Sequence, residues 1–294
     1  MNLAIAKQRI GLVAGWGRFP QVVAQTLRRD GHEVYTVGIK GHADAALQND
    51  SHGYHEVGVA RMGAAIRYLR GQGVERGIHA GKMHKVEFIR RFAWIGLIPD
   101  YTTFRAFYPH FVSGRRNRND DSLLLAVVDA FARGGVELAP ATDFAPELLV
   151  KTGTLSTQQP TAKQQQDIAY GWQLAKEMGR LDVGQSVAVK GRAVLAIEAI
   201  EGTDQCIRRA GELCSQGGFT VVKVAKPQQD MRFDVPTIGI GTLETLVAAG
   251  GKVLAVEAGK TILLDEPEVI QFANRRKLVV VAVDGAAAIR SEAA

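Results

Sequence analysis

Three loops in the C-terminal half of this 294-residue chain bring carboxylates and cations within short reach of one another. The first, Glu198-Ala-Ile-Glu201-Gly202-Thr203-Asp204, reads as a strand end turning through glycine into a helix. Carboxylates beside helix N-terminal amides suit a hard cation or a phosphate. The second holds Lys223, Lys226, Asp230, Arg232 and Asp234. If 230–234 is extended, Asp230, Arg232 and Asp234 share one face and Met231 and Phe233 turn inward, because strand side chains alternate. The third, Glu257-Ala-Gly-Lys260, follows another apolar run. Such loops suit phosphoryl chemistry: carboxylates hold Mg²⁺ or orient water, and Lys and Arg neutralise phosphate oxygens. The plainer reading of the Asp/Arg/Asp row is a ladder of surface ion pairs on an edge strand, worth little energetically. Three such loops in one half of the chain weigh against it.

Near the N-terminus, Gly15-Trp16-Gly17-Arg18-Phe19-Pro20 lies between an apolar run and an amphipathic one, where a nucleotide-binding turn belongs. Gly15 and Gly17 there let the backbone approach a ligand. A dinucleotide fingerprint wants a third glycine where Pro20 stands, and an acidic residue near the end of the second strand. That strand ends in Ile39-Lys40. The carboxylate for an NAD ribose is missing, whereas Lys40 and His42 suit the 2′-phosphate of NADP. A mononucleotide or sugar phosphate, or a tight turn with no ligand, are the other readings.

Charge is unevenly spread. The chain carries 36 Lys+Arg against 30 Asp+Glu, a net charge of +6. Residues 82–118 hold eight cations, Lys82 among them, against only Glu87 and Asp100, so this window matches the whole excess. It also holds Phe88, Phe92, Trp94, Tyr101, Phe104, Phe107, Tyr108 and Phe111. Rings between cations suit single-stranded nucleic acid, an anionic membrane surface, or an amphiphile with phosphates at one end and acyl chains at the other. The plainer reading is a packed helix pair with solvated cations.

These groups need a scaffold, and the pattern supplies an α/β one. Apolar residues make up 46% and charged residues 22%, which excludes disorder. No apolar run approaches the roughly 20 residues of a membrane span. Cys206 and Cys214 cannot form a disulfide framework, which points to a reducing cytoplasm and to packing as their role. Many of the 32 glycines follow short apolar runs, as strand-to-helix turns do. Strand 10–15, helix 19–30 and strand 32–39 form a βαβ unit. It continues with a helix near 60–72, strand 77–81, helix 120–133 capped by Asp120 or Asp121, and strand 136–140. Residues 151–160, rich in Thr, Gln, Gly and Pro, read as a linker between domains at 1–150 and 161–284. The second domain shows helix 162–178, a hairpin turning at Gly191-Arg192, and helix 203–215 with Thr203 as N-cap. Strand 220–225, helix 242–249 and strands at 253–257, 261–264 and 278–283 follow. His52 and His55 fall in a loop, and the tail from 285 is loose.

The motifs as a set resemble a known family, the UDP-2,3-diacylglucosamine diphosphatases of lipid A biosynthesis, of the kind unrelated to calcineurin-like metallophosphatases. The resemblance runs from about Ile10 to Asp265. It rests on the glycine turn, on Asp120-Asp-Ser-Leu-Leu124 and on Gly179-Arg-Leu-Asp-Val-Gly-Gln185. It rests most on Ala196-Ile-Glu-Ala-Ile-Glu-Gly-Thr-Asp204, Lys226-Pro-Gln-Gln-Asp-Met-Arg-Phe-Asp-Val-Pro-Thr-Ile-Gly239 and Val256-Glu-Ala-Gly259. It implies a Rossmann-like N-terminal domain, a mixed α/β C-terminal domain, and the lipid product held between them. The implied reaction hydrolyses UDP-2,3-diacylglucosamine to UMP and 2,3-diacylglucosamine 1-phosphate with Mg²⁺ or another divalent cation. The family's essential aspartate matches Asp234, which binds the metal or positions water, with Asp230 and Arg232 beside it. Glu201, Gly202, Thr203, Asp204, Lys226, Glu257, Lys82, Gly15 and Gly17 are the expected substrate-binding residues. Family members carry a shorter, less aromatic stretch than 86–111 here, so the resemblance assigns that segment no role. The expected setting is cytoplasmic and peripheral to the inner membrane, with no nucleic acid, and a homodimer is compatible with it. The competing readings are a nucleic-acid-binding protein using 82–118 and an NADP-dependent oxidoreductase.

Overall fold

A computed structural model describes residues 7–82, 98–111, 120–233 and 235–285. Asp234, most of the basic aromatic stretch from 83 to 118, the tail from 286, and the side chains of the expected caps Asp120 and Asp121 lie outside that description.

The chain divides into two units, the first comprising Met1–Pro146 and Asp230–Phe233. Its sheet is parallel throughout: β1 (Arg9–Ala14), β2 (Glu33–Ile39), β3 (Gly53–Val57), β4 (Arg76–Ala80) and β5 (Glu137–Leu138), in spatial order β3-β2-β1-β4-β5. All of β1 after Arg9 is buried, as a strand covered on both faces requires. Helix α1 (Phe19–Arg29) follows the expected stripe, burying Val22, Val23 and Leu27. Pro20 sits in its first turn, where no N–H is needed, and Arg28 and Arg29 face the negative end of the helix dipole. Strand β3 was not anticipated: His55 lies on this polar, half-exposed strand, its ring stacked on Tyr68 at 5.0 Å, rather than in a loop.

Helix α2 (Met62–Gly71) has no side-chain cap from its own N-cap residue. Residues forty positions away cap it. Thr103 Oγ1 accepts the Met62 N–H at 3.0 Å and Asp100 Oδ2 accepts the Ala64 N–H at 3.1 Å. The other Asp100 oxygen accepts from Thr103, tying in helix α3 (Tyr101–Phe111). Burial pushes the Asp100 carboxyl up, but these hydrogen bonds outweigh it and hold it below its usual value. Helix α4 (Asp120–Arg133) adds Ala130 and Phe131 to a core with Val13, Val37, Ile66, Leu69 and Val136.

The second unit comprises Glu147–Gln229 and Asp234–Ala294. Its strands are β6 (Gly153–Thr154), β7 (Ser186–Lys190), β8 (Ala193–Ile197), β9 (Thr220–Lys223), β11 (Val253–Glu257) and β13 (Val279–Val283), in order β6-β13-β11-β9-β7-β8. A small parallel pair, β10 (Thr237–Ile238) and β12 (Ile262–Leu263), stands apart. Strands β9, β11 and β13 run parallel, and β7 and β6 oppose them. The β7–β8 hairpin turns at Gly191-Arg192, with φ of 58° and 60°. Buried Asp167 accepts both turn N–H groups, at 3.0 and 2.7 Å. Helix α5 (Ala162–Arg180) covers one face, packing Ile168, Trp172 and Ala175 on Val187, Val222 and Ala255. Helices α6 (Thr203–Leu213), α7 (Ile240–Ala248) and α8 (Glu266–Arg275) cover the other with Ile207, Leu246 and Val269.

Two expectations change here. Residues 151–160 do not form a detached linker, because Gly153–Thr154 pairs antiparallel with β13 and Leu155 N–H donates to Val280 O at 2.8 Å. Helix α8 was missed, although Pro in its first turn beside Glu266 and Glu268 is a start signal.

Candidate active site

In the second unit, the strand directions bring the C-terminal ends of β8, β9 and β11 and the start of β7 to one edge of the sheet. Ligands of open α/β sheets bind outside the carboxyl ends of strands. Glu198, Ser186, Lys223 and Glu257 stand in or next to those strand ends, and each is buried.

Glu257 ends β11 on the α5 side and is only 5% exposed. Its Oε2 accepts from Lys176 Nζ at 2.5 Å and from the Ala225 N–H at 2.8 Å, and its Oε1 pairs with Lys260 at 3.1 Å. Lys176 also donates to Ala225 O at 3.0 Å. The Lys176 stem lies one turn after buried Trp172, and its ammonium sits 5.4 Å from that ring, so the side chain passes over apolar surface to reach the carboxylate. Burial pushes the Glu257 carboxyl up, but Lys176, the Ala225 N–H and Lys260 outweigh it and hold it low. Lys226, one residue after Ala225, pairs with Asp182 at 2.6 Å and donates its N–H to Gln229 Oε1.

On the opposite face, Lys223 is the cross-strand partner of Ser186, and its Nζ donates to Thr237 O at 3.0 Å. Thr203 was expected to cap helix α6. The N-cap is instead Gly202, whose φ of 82° favours glycine, and Thr203 is the first helical residue. Its hydroxyl donates to Glu198 Oε1 at 3.1 Å and lies 3.3 Å from Ser186 Oγ. Glu198, 6% exposed, leaves Oε2 without a hydrogen-bond partner. Glu201 pairs with Arg209, which also donates to Ile197 O at 2.7 Å, and Asp204 stands exposed in the first helical turn. Cys206 is buried, its thiol pushed up to about 12 by burial, which suits packing.

Asp230 and Arg232 come together by a different geometry from the extended row. Phe233 N–H donates to Asp230 O at 3.1 Å, which makes 230–233 a turn. Asp230 Oδ1 accepts the Arg232 N–H at 3.0 Å, and the guanidinium forks onto both carboxylate oxygens at 2.5–3.1 Å. Arg232 therefore holds the Asp230 carboxyl low. Local side-chain-to-backbone bonding of this kind competes with extended structure, and here it wins. Phe233 does turn inward, against the core of the first unit.

In the first unit, Gly15, Gly17 and Lys82 meet where the strand order reverses between β1 and β4. The chain itself spans that crevice: Trp16 and Lys82 exchange backbone hydrogen bonds at 2.8 and 2.9 Å. A side chain on Gly15 would meet Lys82 O at 2.7 Å, so this glycine accommodates backbone. Gly17, at φ 105°, opens onto free space. The turn that would cradle a dinucleotide pyrophosphate is thus bridged by carbonyl-bearing backbone. Nearby His79, on β4, has a buried Nδ1 without a partner, and burial drops its pKa to about 4.

Sequence reasoning missed Lys176, Asp182 and Ser186, and it named Glu198 in the first loop without choosing it as a site residue. Lys176 is 81 positions from Glu257 and carries no local signal. Glu198 did carry one: a carboxylate closing an apolar strand.

The chain is a protein of two α/β units, one with buried carboxylates and lysine side chains along the carboxyl edge of its sheet, an arrangement that suits a phosphorylated ligand. Comparison with known proteins makes this particular. Residues 9–148 match the model of the LpxI N-terminal domain, and residues 151–281 match that of the LpxI C-terminal domain. The chain is 31% identical over 284 residues to UDP-2,3-diacylglucosamine pyrophosphatase LpxI of Caulobacter vibrioides, covering 94% of this chain and 98% of that protein. The chain belongs to the LpxI family.

Proposed function

We propose that the protein hydrolyses the diphosphate of UDP-2,3-diacylglucosamine, releasing UMP and 2,3-diacylglucosamine 1-phosphate for lipid A biosynthesis. The observation that carries this is the end-to-end match to LpxI, both domains included. The cationic and carboxylate edge of the second unit suits a diphosphate. Lys176, Lys223, Lys226 and Lys260 supply positive charge there, and Glu257 holds Lys176 and Lys260 in place. Asp234 is the residue assigned to water or metal.

Mg²⁺ or a similar cation is the expected cofactor. Among the described residues, no three His, Cys, Asp or Glu side chains stand together as a metal site. Asp230, expected as a ligand, has both oxygens on Arg232. Asp234 is the carboxylate we assign to the cation, and Mg²⁺ commonly makes do with one or two carboxylates plus substrate phosphates. When bound, it would neutralise charge developing on the diphosphate. EDTA is expected to stop UMP release from the purified protein and added Mg²⁺ to restore it. Full activity in EDTA would remove the metal from the account.

We also place the protein at an anionic membrane surface. No described helix is long and apolar enough to cross a membrane. On α3, Tyr101, Phe104 and Tyr108 are 75%, 50% and 44% exposed, at spacings of three and four that set them on one helical face with exposed Arg105, and exposed Ile98 precedes the helix. Rings with neighbouring cations suit the headgroup region. Co-sedimentation with vesicles containing anionic lipid is expected, reduced by Tyr101→Ser with Phe104→Ser. Equal binding to neutral vesicles would contradict the assignment.

A further inference from the structure

We propose that Lys176, Gly179 and Asp182, at the C-terminal end of α5, are positioning residues for Lys226. The inference rests on the reading of Lys226 as a cation that meets the diphosphate. All of these residues belong to the second unit.

The three positioning residues follow one another at intervals of three, and each holds a different part of Ala225–Lys226. Lys176 Nζ donates to the Ala225 carbonyl at 3.0 Å. Glu257, bonded to the same ammonium, accepts the Ala225 N–H at 2.8 Å. One ion pair thus fixes both backbone polar groups of the residue before Lys226. Gly179 lies against Lys226 itself: a side-chain carbon there would stand 3.3 Å from Lys226 Cα and 3.3 Å from Pro227 Cδ. At the far end of the side chain, Lys226 Nζ donates to Asp182 Oδ1 at 2.6 Å.

Helix chemistry alone would choose other residues at two of these positions. Helix α5 closes in a Schellman motif: Asp182 N–H donates to Gly179 O at 3.1 Å, and Val183 N–H to Met178 O at 3.0 Å. Asp182 has φ of 56°, in the left-handed position that glycine usually fills. Gly179 stands in the last turn of the helix, where alanine is the better helix former. Glycine and side chain are therefore exchanged relative to what the helix end favours. Both exchanges serve Lys226, one by leaving room for its backbone and the other by meeting its ammonium. The Asp182 side chain is 48% exposed, so its ion pair adds little to stability. Departures from local preference without a gain in stability point to function.

The test assays G179A, D182G, K176M and K176R for UMP release from UDP-2,3-diacylglucosamine, together with thermal melting. Misplacing a group by about 1 Å costs roughly 10²-fold in rate, and the added carbon of G179A asks Lys226 to give by a few tenths of an ångström. G179A and D182G are each expected to lower kcat/KM by roughly three- to tenfold. Their melting temperatures are expected to equal or exceed that of wild type, because each restores the residue the helix end favours. K176M should lose more than either, and K176R should recover most of that loss by keeping the charge. If K176M does not fold, G179A and D182G still decide. The same two substitutions are then combined with K226M, where they are expected to cost nothing further, since the group they position is gone. Wild-type kcat/KM in G179A and D182G would overturn the proposal. So would losses that persist in full beside K226M, or losses that only accompany a lower melting temperature. K226M alone separates the two levels. If it is impaired while G179A and D182G are normal, only the positioning role fails. If it is as active as wild type, the reading of Lys226 fails and the positioning role fails with it.

Discussion

Glu257→Ala is expected to destabilise the protein by about 3 kcal/mol and to remove most hydrolysis with it. Breaking a buried ion pair from one side costs roughly 3–5 kcal/mol, because the other charge stays buried and unpaired. Here the truncation strands the Lys176 ammonium and the Ala225 N–H together. Lys176 keeps some solvent contact, with its side chain 25% exposed, which places the cost at the low end. Glu257→Gln keeps an acceptor for Ala225 but loses the charge, and should fall between. The pH dependence has a definite sign. The folded Glu257 carboxyl lies below its usual value of 4.5, so its contribution is complete above that pH and is lost as pH falls through the lower folded value. Urea unfolding should show the gap between wild type and Glu257→Ala constant from pH 8 to 6 and shrinking in acid. A gap that widened in acid would mean the carboxylate is not held by cations.

Asp234→Asn is expected to lower the rate of UMP release by about 10²–10⁴-fold, the range typical of a lost general base, with melting near that of wild type. The amide keeps the shape of the side chain but can neither take a proton from water nor neutralise a cation. Asp230→Asn is expected to behave differently. It loosens the Arg232 fork, so its loss should be smaller and accompanied by a lower melting temperature. Equal losses for the two variants would mean that the fork is itself part of the chemistry.

Much of this scaffold was legible in the residues. The β1–α1–β2 unit follows from apolar spacing and from Pro20 and Gly31 at the helix ends, all local signals. The β7–β8 hairpin was legible at Gly191-Arg192 for the same reason, although its anchor, Asp167, was not. Strand β3 was hidden because it lies at the sheet edge and keeps polar residues half exposed. Helix α3 falls in the segment whose plainer reading was a packed helix pair, although Pro109 inside it blurred its bounds. At the site, spacing alone brought Asp230 and Arg232 together, but the assumption of an extended chain failed against the hydrogen bond from the Arg232 N–H to Asp230. Gly15 was read as letting the backbone approach a ligand, and what approaches it in the fold is the Lys82 carbonyl. The Lys176 to Glu257 bond at the carboxyl edge joins residues 81 positions apart through a packed helix, and no local pattern announces it.

The most direct test of the central claim is the product pair. Purified protein incubated with UDP-2,3-diacylglucosamine and Mg²⁺ should release UMP and 2,3-diacylglucosamine 1-phosphate in equal amounts by mass spectrometry. Release of UDP with unphosphorylated diacylglucosamine, or no turnover at all, would contradict it.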